Sequence, residues 1–279
     1  MAIEPGKLET LAVQLKELSE ALAAEDPASL QGTRARRVHK TVSQAYDKLR
    51  KVMDDLDPVK HPGFVFDPSN PSVAGRVAGI TMIAQARKPL LNDEKFYGAG
   101  VYAIYYSGDF PAYTEISKRE HPIYVGKADP VVPNAKTAFE QGDRLASRIR
   151  EHRKNISKAV TTLRPEDFEY RALVVQSGWQ TPTEDYLIGL FKPIWNKQVG
   201  ICYGFGKHGD APETRANLRS PWDTLHPSRD WAHRDPKMKD AKPAKQIVEE
   251  IREHLKEHPP FGSVGEILRR FLKEMQAAT

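Results

Sequence analysis

Two short segments, Gly100-Val101-Tyr102 and Tyr124-Val125-Gly126, each place a phenol on what reads as one β-ribbon facing a shared pocket. A phenol in a pocket takes part in proton transfer when an acceptor or a positive field stands beside it. Arg148 and His152 follow, four residues apart, so their side chains neighbour each other on one helical face. His152 lies on the seam of Leu145, Ile149 and Ile156, three residues after Ile149 and four before Ile156, which turns it inward. Taken alone, an inward histidine is more often a satisfied core residue than a catalyst. An inward guanidinium at Arg148 needs an anion, either a phosphate held in bidentate geometry or an internal carboxylate such as Glu184. Thr181-Pro182-Thr183-Glu184 has the form of a capping box, with Thr181 as N-cap, Pro182 at the first helical position and Glu184 three residues on. On the residues alone, capping is the leading reading of Glu184. Asn196 stands at the far end of the same helix.

These side chains must be held by strands and helices in a particular order. Residues 101–106 and 123–128 are rich in β-branched and aromatic types and read as strands, joined by the long segment 107–122. A helix from Leu145, a third strand over 170–176 and the helix after Thr181 complete the sequence strand, strand, helix, strand, helix. That order predicts an α+β domain around a small, three-stranded, mostly antiparallel sheet flanked by helices. Ahead of it, Asp67-Pro68-Ser69-Asn70-Pro71 leads into an apolar helix carrying Val73, Val77, Ile80, Met82, Ile83 and Ala84, expected to be buried. Two series at alternating spacings of three and four, Leu8 to Leu22 and Val38 to Leu56, predict an N-terminal helical hairpin over 1–62. Arg34, Arg36, Arg37 and Lys40 give its second helix a basic start. The core with its lead-in helix spans 63–200, an irregular segment punctuated by Gly and Pro spans 201–240, and helices return over 241–279. Trp222, Leu225 and Trp231 argue that the irregular segment is packed down.

With 279 residues and 39% apolar content, the chain is long enough for a real core. Its 42 Lys plus Arg against 37 Asp plus Glu give a net charge of +5. The pI near 9.1 favours a polyanionic partner without requiring one. A single cysteine, Cys202, excludes an internal disulfide framework and a cysteine-built zinc site, which fits a reducing cytoplasm. No apolar run approaches the roughly 18 residues of a membrane span, and no signal peptide is expected. The expected localisation is cytoplasmic.

In order and on the expected elements, Gly100-Val101-Tyr102, Tyr124-Val125-Gly126-Lys127, Arg148, His152, Glu184 and Asn196 resemble the GIY-YIG nuclease superfamily, over roughly Phe96 to Asn196. The segment between the two tyrosines is longer than usual there, with Gly108-Asp109-Phe110-Pro111 and Lys118-Arg119-Glu120-His121 inserted. That insertion, together with Phe66 to Pro71, Arg219-Ser220-Pro221-Trp222-Asp223 and Leu225-His226-Pro227, resembles the type II restriction endonucleases that cut CCGCGG. The resemblance implies hydrolysis of DNA phosphodiesters with Tyr102, Tyr124, Lys127, Arg148, His152, Glu184 and Asn196 as catalytic residues. It reverses the capping preference for Glu184, which becomes the ligand of one Mg²⁺, with Mn²⁺ as a substitute. Tyr102 would act at the attacking water, with His152 relaying its proton and Arg148 holding the phosphate and helping to lower the tyrosine pKa. Tyr124 and Lys127 would position phosphate and water, and Asn196 would fix a neighbouring hydrogen bond. For a G·C-rich site, base reading falls to cations of the irregular segment, with Arg215, Asn217 and Arg219 favoured. Cutting both strands of a palindrome implies a homodimer or homotetramer, and a cognate DNA methyltransferase in the same cell. The competing expectations are a structure- or lesion-directed repair nuclease and a non-catalytic DNA-binding regulator on the same fold.

Overall fold

All seven residues of the segment Gly100–Tyr106 are buried, on both faces, which marks it as the central strand of a covered sheet. The structure, a computed structural model, describes residues 5–26, 30, 32–59, 67–159, 161–205, 218–229, 232 and 237–277. Its strands are β1 (Lys88–Pro89), β2 (Gly100–Tyr106), β3 (Tyr124–Ala128), β4 (Phe168–Val174), β5 (Leu218–Arg219) and β6 (Lys239–Asp240). Its helices are α1 (Pro5–Ala24), α2 (Gly32–Leu56), α3 (Pro71–Ile83), α4 (Ala138–Gln141), α5 (Arg144–Lys158), α6 (Gln180–Phe191), α7 (Pro221–Leu225), α8 (Ala244–Glu257) and α9 (Val264–Ala277).

The main sheet is antiparallel throughout, in the order β1-β4-β2-β3. It has four strands rather than the three expected from sequence. The addition, Lys88–Pro89 paired with Tyr170 and Glu169, is two residues long and half proline, so it shows no alternation to read. The strand expected over 170–176 runs instead over 168–174. Side chains alternate across β2 with period two. Tyr102, Ile104 and Tyr106 join a core with Leu145, Ile149 and Ile156 of α5 and Ile247, Ile251 and Leu255 of α8. Val101, Ala103 and Tyr105 join another with Met82 and Ile83 of α3, Leu187, Ile188 and Phe191 of α6 and Ile267 of α9. The sheet is therefore sandwiched between helical layers, and the fold is α+β as expected.

Helix α3 starts on Asn70, whose side chain accepts the Ser72 amide at 2.9 Å, with Pro71 inside the first turn. It packs against α6 through Gly75 and Gly79. A methyl group on Gly75 would come within 2.5 Å of the Pro182 carbonyl oxygen. Burial is confined to that stripe, and Val77, expected inside, is 54% exposed. The long segment between β2 and β3 is folded onto the core, where Tyr113 and Ile116 are buried. Beyond Asn196, Trp222 and Leu225 are packed down as expected, while Trp231 lies outside the described residues. Cys202 is buried and free. No helix among the described residues is long and apolar enough to cross a membrane.

The chain divides into two compact units, Met1–Gly63 and Phe64–Thr279. The first contains α1 and α2. The heptad-like spacing expected there is present, but α2 buries no residue and Leu11, Leu18 and Leu22 of α1 stay exposed.

Candidate active site

Register brings the two phenols together. Tyr102 pairs with Gly126 and Ile104 with Tyr124, so both tyrosines project from the same face of the β2–β3 ribbon. Their rings lie 6.1 Å apart between centroids. Gly126 provides the room, since a methyl group there would sit 2.5 Å from the Tyr102 hydroxyl. Gly100 has an equally specific role, because a side chain there would collide with the Leu173 carbonyl of β4.

Helix α5 crosses this face and delivers His152, which is fully buried. Its Nε2 stands 2.5 Å from the Tyr102 hydroxyl. Phe205 stacks on the imidazole at 4.5 Å and 21°, and also meets the Tyr124 ring edge-on at 5.2 Å. The histidine is thus the core residue its spacing foretold and the direct partner of Tyr102. Phe205 carries no signal in the sequence, because an isolated aromatic in a Gly-rich segment has no periodicity to locate it.

Arg148 sits one turn earlier, hydrogen-bonded to Tyr102, whose phenol it favours in the ionised form. Burial outweighs that help, and the Tyr102 pKa is raised well above 10.0 rather than lowered. Nearby Tyr124 is raised as well, again chiefly by burial. The carboxylate on Arg148 is Glu151, at 2.9 Å, and not the Glu184 that the sequence offered.

Glu184 is not part of a capping box. Helix α6 begins at Gln180, with Trp179 in the N-cap position and no side-chain cap there. Gln180 instead folds back to accept the Gly178 amide at 2.8 Å. Thr181 is thereby freed to accept the Lys127 ammonium at 2.9 Å. The Glu184 carboxylate faces the backbone amide of Lys127, on the outer edge of β3, which favours its charged form. Burial, opposed by the Lys127 charge and assisted by Asp185 and Asp129, raises its pKa to about 7. Glu184, Tyr124 and Asn196 line one cleft of about 180 Å³, together with Lys197, Gln198 and Tyr203. A desolvated carboxylate facing such a cleft is suited to a cation or to a proton.

Asn196 grips the same strand edge. Its Oδ1 accepts the Val125 amide at 2.9 Å and its Nδ2 donates to the Val125 carbonyl at 2.7 Å. Val125 lies between Tyr124 and Gly126, so this clamp fixes the strand that carries the second phenol. Substituting Asn196 by Ala leaves two buried backbone groups without partners, at about 1–3 kcal/mol each. The expected result is a urea midpoint shifted down by the equivalent of roughly 2–6 kcal/mol. A variant within about 0.5 kcal/mol of the parent, the ordinary scatter of surface changes, would show the clamp to be dispensable.

Of the residues favoured for base reading, Arg215 and Asn217 lie outside the described residues. Arg219 directs its guanidinium inward, to Asp240 at 2.8 Å and to the carbonyls of Ala232 and Met238. That bracing joins β5 to β6. Arg229, another cation of the segment, is buried against Asp223 at 2.6 Å. Behind the site, Tyr113 links to His226 Nε2 at 2.6 Å and accepts Trp195 Nε1 at 2.9 Å, and His226 Nδ1 meets Thr162 Oγ1 at 2.9 Å. Burial lowers the His226 pKa to about 3, so this network is neutral and structural. It ties the long insertion to the segment after Asn196 across more than a hundred residues, a distance that no local pattern spans.

Among the described residues no group of three or more His, Cys, Asp or Glu side chains is arranged to hold a metal ion. A cation at Glu184 would therefore take one protein carboxylate and complete its shell largely with water, a habit of Mg²⁺. The raised pKa and open cleft fit that role.

Residues 94–255 match the family model described as the Eco29kI GIY-YIG domain. No curated protein matches the chain.

Proposed function

The chain belongs to the Eco29kI GIY-YIG family of restriction endonucleases, and from that premise we propose that it hydrolyses both strands of a G·C-rich palindrome, CCGCGG by resemblance, with one divalent cation per site. The observation that carries the reading is the 2.5 Å contact between Tyr102 and His152, set beside Arg148 and one strand edge away from Glu184.

The chemistry follows from the protonation states. Tyr102 is neutral at physiological pH, so its oxygen meets an attacking water through a lone pair while its proton points to His152 Nε2. That assignment places the histidine proton on Nδ1. As the water oxygen bonds to phosphorus, the water proton passes to Tyr102 and the phenolic proton passes to His152. The pair thus works as a base without a free phenolate, which burial would oppose. Arg148, freed from Glu151, holds a non-bridging oxygen in a bidentate contact, and Lys127 supplies a second positive charge as negative charge builds on the phosphate. Tyr124 limits the water to one approach and Asn196 holds the strand beneath it. A cation bound at Glu184 would act as a Lewis acid for the departing 3′ oxygen. Two such sites related by a two-fold axis would cut both strands, so we assign the working form as a homodimer or homotetramer acting beside a protective methyltransferase.

Plasmid DNA with one CCGCGG site, incubated with the protein and Mg²⁺ or Mn²⁺, should yield one linear product with ends inside that site. Smearing, nicking without a defined end, or preference for branched DNA over this site would reject the reading.

A further inference from the structure

Beside the catalytic cluster lies a cleft of about 340 Å³ whose walls carry Lys127, Asp129, Arg144, Ser147, Arg148 and Glu151. Three cations face two carboxylates in it, and the pairing is specific. Lys127 donates to both Asp129 oxygens, at 3.1 and 3.3 Å. Arg148 donates to Glu151 at 2.9 Å. Arg144 bonds the Asp129 backbone carbonyl at 3.1 Å, which fixes the turn that aims Asp129 at Lys127. The two cations on which the proposed mechanism calls are thus the two already holding internal anions.

We propose that Asp129 and Glu151 are specificity-determining stand-ins for substrate phosphate, occupying Lys127 and Arg148 in the free protein and yielding them only to a duplex bound strongly enough to displace both. This rests on the nuclease reading of the same site. Asp129 is 61% and Glu151 43% exposed, so each carboxylate swings into water without a desolvation cost of its own. Surface pairs of this kind are weak, so each lowers the affinity of a complex only a few-fold, a loss that base contacts offset and backbone attraction alone does not. They are nevertheless present in every encounter, and each subtracts one phosphate contact from any complex that leaves it closed. A cognate duplex, with base contacts to draw the backbone into place, opens both pairs. A random duplex has the backbone attraction alone and leaves them closed. Discrimination grows because the wrong partner is penalised, the other half of any specificity difference.

The test measures binding of a random-sequence duplex in EDTA across a range of salt. Glu151→Gln and Asp129→Asn should each tighten that binding about 3- to 10-fold at 0.1 M salt and steepen the log–log salt slope by about one ion. Glu151→Ala should act in the same direction if the Gln amide retains part of the contact. Glu249, paired with Arg252 at 3.0 Å with the same i,i+3 spacing on α8, supplies the control, and Glu249→Gln should leave affinity and slope unchanged. A purely structural helix pair at Glu151 would shift the melting temperature without changing the salt slope. Wild-type binding with unchanged slopes in the Glu151 and Asp129 variants overturns the inference and leaves the nuclease reading intact. A wild-type protein that binds no duplex at all overturns both.

Discussion

Replacing Glu184 by Gln should reduce cleavage by on the order of 10³-fold or more while leaving duplex binding largely intact, and should make the metal-free protein more stable above neutral pH. The two effects share one cause. The Glu184 carboxyl has a pKa of about 7 in the folded protein against an ordinary value of 4.5, mainly because it is withdrawn from water. The folded state therefore holds a proton that the unfolded chain has released between those two values, and stability falls as pH rises through that window. Above about pH 7 the native protein carries the full cost of a desolvated charge, and below about 4.5 it carries none. Glutamine fills the same space without the charge. Allowing for partial solvent access, the gain is about 1–2 kcal/mol at pH 8. That corresponds to a melting temperature higher by roughly 2–8 °C for a unit of this size. Thermal melts in EDTA at pH 4 and pH 8 check it, with a difference expected only at the higher pH. Equal melts at both would mean that Glu184 carries no cost of burial, and a variant that still cuts would mean that it is not essential.

Replacing Tyr102 by Phe should cost about 10²–10⁴ in kcat, the range lost when a positioned proton acceptor is removed. The ring stays, with its packing against Tyr124, and only the oxygen within reach of His152 Nε2 is lost. Because the Tyr102 pKa is raised well above 10.0, the phenol does not ionise in the working range and sets no limb of the pH profile there. The rise of kcat/KM between pH 6 and 8 should instead follow Glu184, and the Phe variant should run parallel to the parent at lower rate. Purified variant and parent assayed on one plasmid from pH 6 to 9 provide the comparison. A variant within tenfold of the parent, or one whose profile changes shape, would remove Tyr102 from the proton path.

Several parts of the site were legible in the chain because they follow local periodicities. Period two along β2 and β3 places Tyr102 and Tyr124 on one face, and the three-and-four spacing around Ile149 and Ile156 turns His152 inward. Other parts depended on contacts that no short window contains. Helix α6 starts at Gln180, two residues before the expected first helical position Pro182, with Gln180 closing onto Gly178, and that small shift takes Glu184 out of the capping position and leaves Thr181 to Lys127. An acid three residues from an arginine is common on any helix surface, so the sequence does not distinguish Glu151. The net direction of the Tyr102 pKa depends on how completely the ring is enclosed, and its neighbours Tyr124 and His152 come from β3 and α5, twenty-two and fifty residues away. The inward turn of Arg219 requires Asp240, twenty-one residues later, to be its neighbour.

The outer edge of β3 has a wider consequence. An open strand edge is a row of unmatched donors and acceptors that another chain can zip onto. Here Asn196 closes both groups of Val125, and the Trp195 amide donates to the Ile123 carbonyl. The opposite margin is the two-residue β1, with a proline in it. On the β3 side a neighbouring copy therefore has little unmatched backbone on which to extend this sheet. A two-fold partnership that avoided the β3 edge would be formed by other surfaces of the domain. Such contacts do not disturb the strand on which Tyr124, Lys127 and their partners are aligned.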